Sequence, residues 1–355
     1  MGAWPGRQRH DGLMLMSQIR DVQGLESVVG ARPLAIMMKS IDRLDDHCRA
    51  IIDRSTAVVM AYRDESGLRA RLVGGAPGFA WDSPTSLAIE APDGAIPGTP
   101  VGACFLTPGW RETLRVNGTF SSGFDVSEAL LHCGKAVMRS KLWDVPASAA
   151  AQAASTTNAS LDRTARAFLA DAPFLIIGSC DADGNADASP KGDPGGFVHV
   201  IDDATIAIPD RRGNKRTDTL HNVLGDPTVA ILALSPGDDR TLELGGRARI
   251  SIDPELLASM AMQGKRPNVA IIVELDRVQL STSEGLRAAD LWNADHHIAP
   301  NDLPMATRIW TDHVESNSTK GLAAGAIKLA ARAAKVGDTS VAAKAALNRD
   351  YGNLY

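Results

Sequence analysis

Two stretches of this chain align with each other without a gap. Residues 101–118 read VGACFLTPGWRETLRVNG and residues 229–246 read VAILALSPGDDRTLELGG, an offset of 128 (Val229 against Val101). Upstream, AVVM at 57–60 matches FLII at 174–177 at an offset of 117, each run followed by an acidic, glycine-containing turn. Downstream, LHCGKAVMRSKLW at 131–143 matches LSTSEGLRAADLW at 280–292 at an offset of 149. A spacing above a hundred residues is that of two homologous domains, since solenoid repeats recur every ~20–50 residues. A length of 355 residues accommodates two domains of ordinary size.

Each copy alternates short β-prone runs with turns. In the first, residues 41–52 carry apolar side chains at helical spacing, and strands are expected at 57–61, 68–73, 86–90, 101–106 and 113–116. In the second, a helix over 161–170 precedes strands at 174–179, 186–189, 197–200, 205–208, 228–233, 241–244, 248–250 and 269–275, with helices at 217–224 and 254–263. Many short antiparallel strands and few helices predict a small barrel per copy, in a mainly β protein with flanking helices, class α+β. The small, polar run 147–160 (ASAAAQAASTTNAS) reads as a linker. The expected organisation is therefore an N-terminal extension at 1–40, a first barrel at 41–146, the linker at 147–160, a second barrel at 161–300 and a helical tail at 301–355. The tail is alanine-rich and weakly amphipathic, so it is expected to pack on the body.

Charge and cysteine usage narrow the function classes. A net charge of −5 without a long basic run argues against nucleic acid as a partner. No apolar stretch approaches the ~18–20 residues of a membrane span. Cys48, Cys104, Cys133 and Cys180 are widely spaced and form no CxxC, which reads as reduced thiols in a cytoplasmic protein.

The copies have lost different residues. The second holds SPKGDPGGF at 189–197 and PDRRGNKR at 209–216, the latter leading into a helix. Cations beside a helix start make an anion site, with phosphate the natural guest; a solvated basic turn is the alternative. The first copy has LVGG where the second has SPKG, and it lacks the arginine-rich insertion, as the offset grows from 119 (Thr205 against Ser86) to 128. Conversely, Arg115, Lys135 and Arg139 of the first copy align with Glu243, Glu284 and Ala288. Half a site in each copy implies one composite site where the two meet.

These strings carry a resemblance. SPKGDPGGF, PDRRGNKR and HCGKAVMRSKLW (132–143) are similar to the SPRGDPPGF, PDRxGNxR and HCxKAxxRSxLW signatures of the pyridoxamine 5′-phosphate oxidase-like family, the FMN-binding split β-barrels. In that family two barrels pair and FMN lies in the interface. The resemblance, which spans residues 30 to about 300, implies two fused split barrels forming an intramolecular pseudo-dimer. It implies that Ser189, Lys191, Arg211, Asn214 and Arg216, with Pro190 and Asp210 of the same motifs, hold FMN. It also implies that Arg115, Lys135 and Arg139 approach from the other barrel. Each signature occurs once, so one working site per chain is expected, in a monomer acting as a pseudo-dimer or in a homodimer.

The expected activity is an FMN-dependent oxidoreductase acting on a small organic molecule, with NAD(P)H or O2 as redox partner. No strand-linked GxGxxG announces a dinucleotide domain. Alternatives are a haem- or deazaflavin-dependent enzyme on the same fold, or a non-catalytic flavin-binding protein. His199, His221 and His132 are the candidate proton donors, because histidine titrates near neutrality. No metal is expected: His132 and Cys133 are adjacent on a strand and point to opposite faces, and His296-His297 lack a third ligand at suitable spacing. Trp81, Trp110 and Trp143 are candidates to pack on the flavin ring, with core packing the alternative.

Overall fold

The computed structural model of the chain describes residues 17–121, 123–144, 155–299, 301–336 and 351–355. Two antiparallel sheets repeat one strand order. In the first sheet the order is Gly67–Gly74, Ala57–Asp64, Pro100–Leu106, Thr113–Phe120, Phe124–His132, Ser86–Leu87, Trp81–Ser83. In the second it is Ala186–Gly192, Phe174–Cys180, Thr228–Leu234, Arg240–Ser251, Ala270–Thr282, Thr205–Pro209, His199–Val200. Even the β-bulges correspond: the register shifts at Asn117/Gly118 and at Gly245/Gly246, again 128 apart.

The packing explains why AVVM and FLII do not alternate. Successive side chains on a strand face opposite ways, and both faces of these strands are buried. Val58 and Met60 enter the core of the first barrel, while Ala57, Val59 and Ala61 enter a shared core between the barrels. Leu175 and Ile177 likewise fill the second barrel, and Phe174 and Ile176 join the shared core. Trp143 and Trp292 face each other with ring centroids 6.5 Å apart. Their indole N–H groups donate to matched carbonyls, Trp110 O at 2.6 Å and Asp238 O at 2.9 Å. The molecule is two fused split barrels with an internal pseudo-twofold axis.

Two approaches across this axis require glycine. A Cβ at Gly192 would stand 2.3 Å from Ala136 O, in the helix Lys135–Ser140. At the symmetry-related Gly74 it would stand 2.0 Å from Gly285 O, in the helix Glu284–Ala289.

The ends of the chain cross over. Gln18–Ile19 pairs with Arg240–Ser251, and Leu25 of the helix Val22–Val29 is buried in the second barrel, so the N-terminal extension serves the distant barrel. The helix Ala306–Ser316 instead packs on the first, with Ala306 and Ile309 in its core and Trp310 Nε1 donating to Leu131 O at 2.9 Å. The helix Leu322–Val336 packs Ala324 against Met38 and Val314, leaving Leu322 and Leu329 exposed.

Several boundaries differ from the sequence reading. The helix expected over 41–52 begins at Asp46, because Asp45 caps it by accepting from Cys48 N at 2.9 Å, and Ile41 lies in a strand. The strand expected at His132 and Cys133 instead runs Phe124–His132 and leaves Cys133 beyond its end; the bulge opposite Gly118 breaks its alternation. The expected strands 241–244 and 248–250 are one strand running through the other bulge. Of the linker, Ser155–Asn158 pairs with Ala270–Thr282, and residues 147–154 lie outside the described residues.

Candidate functional site

A cavity of about 770 Å³ opens between the barrels. From the second barrel it is lined by Ser189, Pro190, Lys191, Asp210, Arg211, Asn214 and Arg216, and from the first by Arg115, Lys135 and Arg139. All ten residues read from the sequence as cofactor contacts thus surround one space.

Local structure explains how. Asp187, Ser189 and Lys191 alternate on one strand and share a face. Lys135 and Arg139 are four apart on one helix and share its cavity side. The loop after Pro209 is held by Asn214 Oδ1, which accepts from Arg216 N at 3.0 Å. Lys215 (φ 61°) and Thr217 (φ 52°) are left-handed there, a conformation that costs a non-glycine residue of order 1 kcal/mol and clusters at ligand sites.

The cations are tightly paired. Arg115, 1% exposed, bonds Asp187 and reaches Asp218 Oδ2 at 3.0 Å. Arg216 donates to Asp218 at 2.7 Å and to Glu128 at 2.6 Å. Lys191 meets Asp210 at 2.8 Å, and Arg211 meets Asp193 at 2.6 Å. Arg139 donates to the carbonyls of Gly192 at 2.9 Å, Arg212 at 3.3 Å and Leu354 at 3.0 Å. The helix start that the sequence reading reserved for an anion carries its own carboxylate, Asp218. Burial pushes that carboxyl up, but Arg115 and Arg216 outweigh it and hold it below its usual range. For Asp187 burial wins over Arg115, and its carboxyl is raised.

Pairing is nonetheless incomplete. Arg115 Nε, Arg216 Nη1 and Thr219 Oγ1 are buried without a hydrogen-bond partner, on residues that line the cavity. An unmet buried donor costs ~1–3 kcal/mol, a cost carried by residues of the cavity wall.

Of the candidate histidines, His132 lies on the cavity wall, 3.4 Å from Arg115 Nη1. Burial, then Arg115 and Lys191, drive its pKa well below the usual value, so it presents a neutral imidazole. His199 and His221 are not among the lining residues. His199 is lowered by burial and by Arg211, and His221 bonds Thr217 and stands 3.7 Å from Glu26. The three tryptophans do not line the cavity either. Trp110 is in the first core, Trp81 packs beside Arg49, and Trp143 meets Trp292.

Other features were not anticipated. The sequence reading saw cations but not their counter-charges, although Asp193 stands inside SPKGDPGGF and Asp218 directly follows the basic loop. Lys265, Arg266, Asn353 and Tyr355 also line the cavity. Away from it, Asp45, Cys48 and His313 bring potential ligand atoms within 4.8 Å of one another, a grouping hidden by the long separation of His313 in sequence. His313 Nε2 stands 3.3 Å from Asp45, which reads as a clamp between the tail and the first barrel.

Comparison with known proteins places the chain. Residues 161–282 match the pyridoxamine 5′-phosphate oxidase family. No curated protein matches. Among solved structures the chain is similar to HupZ of Group A Streptococcus, at 13% identity over 35% of this chain and 99% of that one, TM-score 0.29. It is similar to General Stress Protein 26 of Bacillus anthracis, at 14% identity over 33% and 89%, TM-score 0.27. It is similar to an FAD-binding protein of Mesorhizobium loti, at 14% identity over 36% and 96%, TM-score 0.26. The family match falls on the barrel that carries SPKGDPGGF and PDRRGNKR. The likeness to the pyridoxamine 5′-phosphate oxidase family thus rests on residues 161–282, the second barrel.

Proposed function

We propose that the protein is an FMN-dependent oxidoreductase acting on a small organic molecule, with one flavin per chain in the cavity between the barrels. The observation that carries this reading is the composite cationic wall, Lys191, Arg211 and Arg216 of the second barrel and Lys135 of the first around one cavity. A volume of about 770 Å³ falls within the range of ~300–1,000 Å³ typical of small-molecule sites. Ser189, Lys191, Arg211, Asn214 and Arg216 hold the phosphate end, and Lys135 faces them from the first barrel. Arg115 and Arg139 bond protein partners, as Lys191, Arg211 and Arg216 also do, and complete the wall from the first barrel. His132 offers a hydrogen-bonding group that stays uncharged beside the cations. Bound flavin supplies the hydride or electron transfer. The protein supplies orientation, charge and exclusion of water.

The test is the visible spectrum of the purified protein, with flavin released by heat and counted per chain. Bands near ~370 and ~450 nm, the mark of a bound flavin, at one FMN per chain support the reading. Two FMN per chain overturn the composite site, a Soret band reassigns the site to haem, and a colourless protein that takes up no FMN overturns the reading. Turnover with NADH, NADPH or O2 then separates a reductase from an oxidase, and FMN uptake without turnover identifies a binding protein.

A further inference from the structure

We infer that residues 351–355 form a strap across the ligand cavity, anchored at Tyr351 and latched at Tyr355, and that a ligand enters or leaves only when the latch lifts. That the ligand is a flavin rests on the reading above; the strap does not. The anchor is deep. Tyr351 is 3% exposed, and its hydroxyl donates to Glu112 Oε1 at 2.8 Å and accepts from Gly134 N at 3.2 Å. Its ring lies under the Arg111 guanidinium, 4.6 Å from centroid to Cζ.

The latch engages cations of the cavity itself. Leu354 O accepts from Arg139 at 3.0 Å. Lys265 Nζ donates to Asn353 Oδ1 at 2.8 Å and to Tyr355 O at 2.7 Å. The Tyr355 ring lies 5.7 Å from Arg211 Cζ. Burial, then the neighbouring Asp193 carboxylate, which holds Arg211, pushes the Tyr355 phenol up to about 12. The strap therefore bonds Arg139 of the first barrel and Arg211 and Lys265 of the second, all three on the cavity wall.

Geometry makes this a tether. Four residues beyond an anchor reach at most about 14 Å, so a latch that opens falls back onto the same mouth. The Tyr355 ring packs beside the Arg211 guanidinium that Asp193 holds. Closure of this kind excludes water and strengthens every charge interaction inside.

Cys133 provides a probe that needs no flavin. It lines the cavity, is in no disulfide, and precedes Gly134, whose N–H meets Tyr351. All four cysteines are buried, and of them Cys133 alone lines the cavity. The experiment measures labelling of Cys133 by a thiol reagent in the full-length protein, in Tyr355→Ala, and in a chain ending at residue 350. Tyr355→Ala removes the ring of the latch from Arg211 and keeps the anchor and the main-chain bonds of Leu354 and Tyr355, so it stays informative if the shortened chain fails to fold. The expected result is labelling about tenfold faster in Tyr355→Ala, the size of effect a local opening equilibrium yields. Tyr355→Phe, which keeps the ring beside Arg211 and removes only the hydroxyl near Asp193, falls between. FMN release from loaded protein accelerates in the same order. Faster labelling in a protein that takes up no FMN upholds the strap and overturns the flavin reading. Labelling of Tyr355→Ala at the full-length rate overturns the strap.

Discussion

Arg115 of the first barrel bonds Asp187 of the second, and the symmetry-related pair carries the opposite charges. Glu243 occupies the position of Arg115, and Arg69 occupies that of Asp187 in the matching hairpin. Arg69 grips Glu243 with two bonds, at 2.7 and 2.9 Å. Two copies of the first barrel would set Arg115 against Arg69, and two of the second would set Asp187 against Glu243. The reversal therefore favours pairing of unlike barrels and penalises self-pairing. Arg115 thus ties the two barrels together at the cavity that it lines.

This pairing sets the first prediction. Arg115→Ala leaves Asp187 and Asp218 in a buried site without their shared cation, which costs about 3–5 kcal/mol. Arg115→Met with Asp187→Leu removes both charges of the pair and recovers most of the loss. Urea unfolding of the single and double variants measures it. A single variant within 1 kcal/mol of the parent, on the scale of a ~0–1 kcal/mol surface pair, sinks the assignment.

His132 sets the second, through pH. Its folded pKa is depressed, chiefly by burial and then by Arg115 and Lys191, while an unfolded histidine titrates near ~6.5. Below that pH the unfolded chain binds a proton that the folded protein refuses. The contribution is thus fully present above ~6.5 and is lost as pH falls, at up to about 1.4 kcal/mol per pH unit. His132→Gln flattens the fall in stability between about pH 6.5 and 5. His199, also depressed by burial, keeps part of the slope, so the comparison is between variant and parent. An unchanged slope in the variant contradicts a neutral buried His132.

Glycine contacts supply the third prediction, with a built-in control. Gly192→Ala and Gly74→Ala each drive a Cβ into a carbonyl of the facing helix, at 2.3 and 2.0 Å. Backbone on both sides cannot yield cheaply, so each costs about 1–3 kcal/mol as overpacking. Only Gly192 lines the cavity, so only Gly192→Ala weakens FMN binding as well. Equal loss of FMN in both variants argues that the two interface positions are not functionally distinct.

How much of this was legible in the chain depends on range. The repeat at an offset of 128 disclosed two barrels because shared core demands recur in shared positions, down to the matched bulges. Cations at Lys135 and Arg139 were visible because helical spacing sets them on one face. What stayed hidden joins distant residues. Asp187 and Arg115 are 72 residues apart, and only the docking of one barrel on the other selects Asp187 as the partner. Tyr355 lies in a segment with no periodicity to read, and its place over Arg211 is set by an anchor pocket built from Glu112 and Gly134. Ile19 and Leu25 are the buried apolar contacts of an extension that pairs with the far barrel, and local sequence carries no address.

The fourth prediction tests the composite site from both sides. Lys191 stands on the second barrel and Lys135 on the first, and both line one cavity. Charge-assisted hydrogen bonds contribute roughly 1.5–3 kcal/mol, so Lys191→Ala lowers FMN affinity about 10- to 100-fold, as converted at 1.4 kcal/mol per decade. Lys135→Glu, which installs the residue that the second copy carries at Glu284, lowers it at least as far by setting a like charge against phosphate. Thermal melting of both apo variants near the parental temperature separates lost binding from lost folding. If Lys191→Ala weakens FMN binding and Lys135→Glu leaves it untouched, the site belongs to the second barrel alone, and the unequal losses in the two copies have another cause.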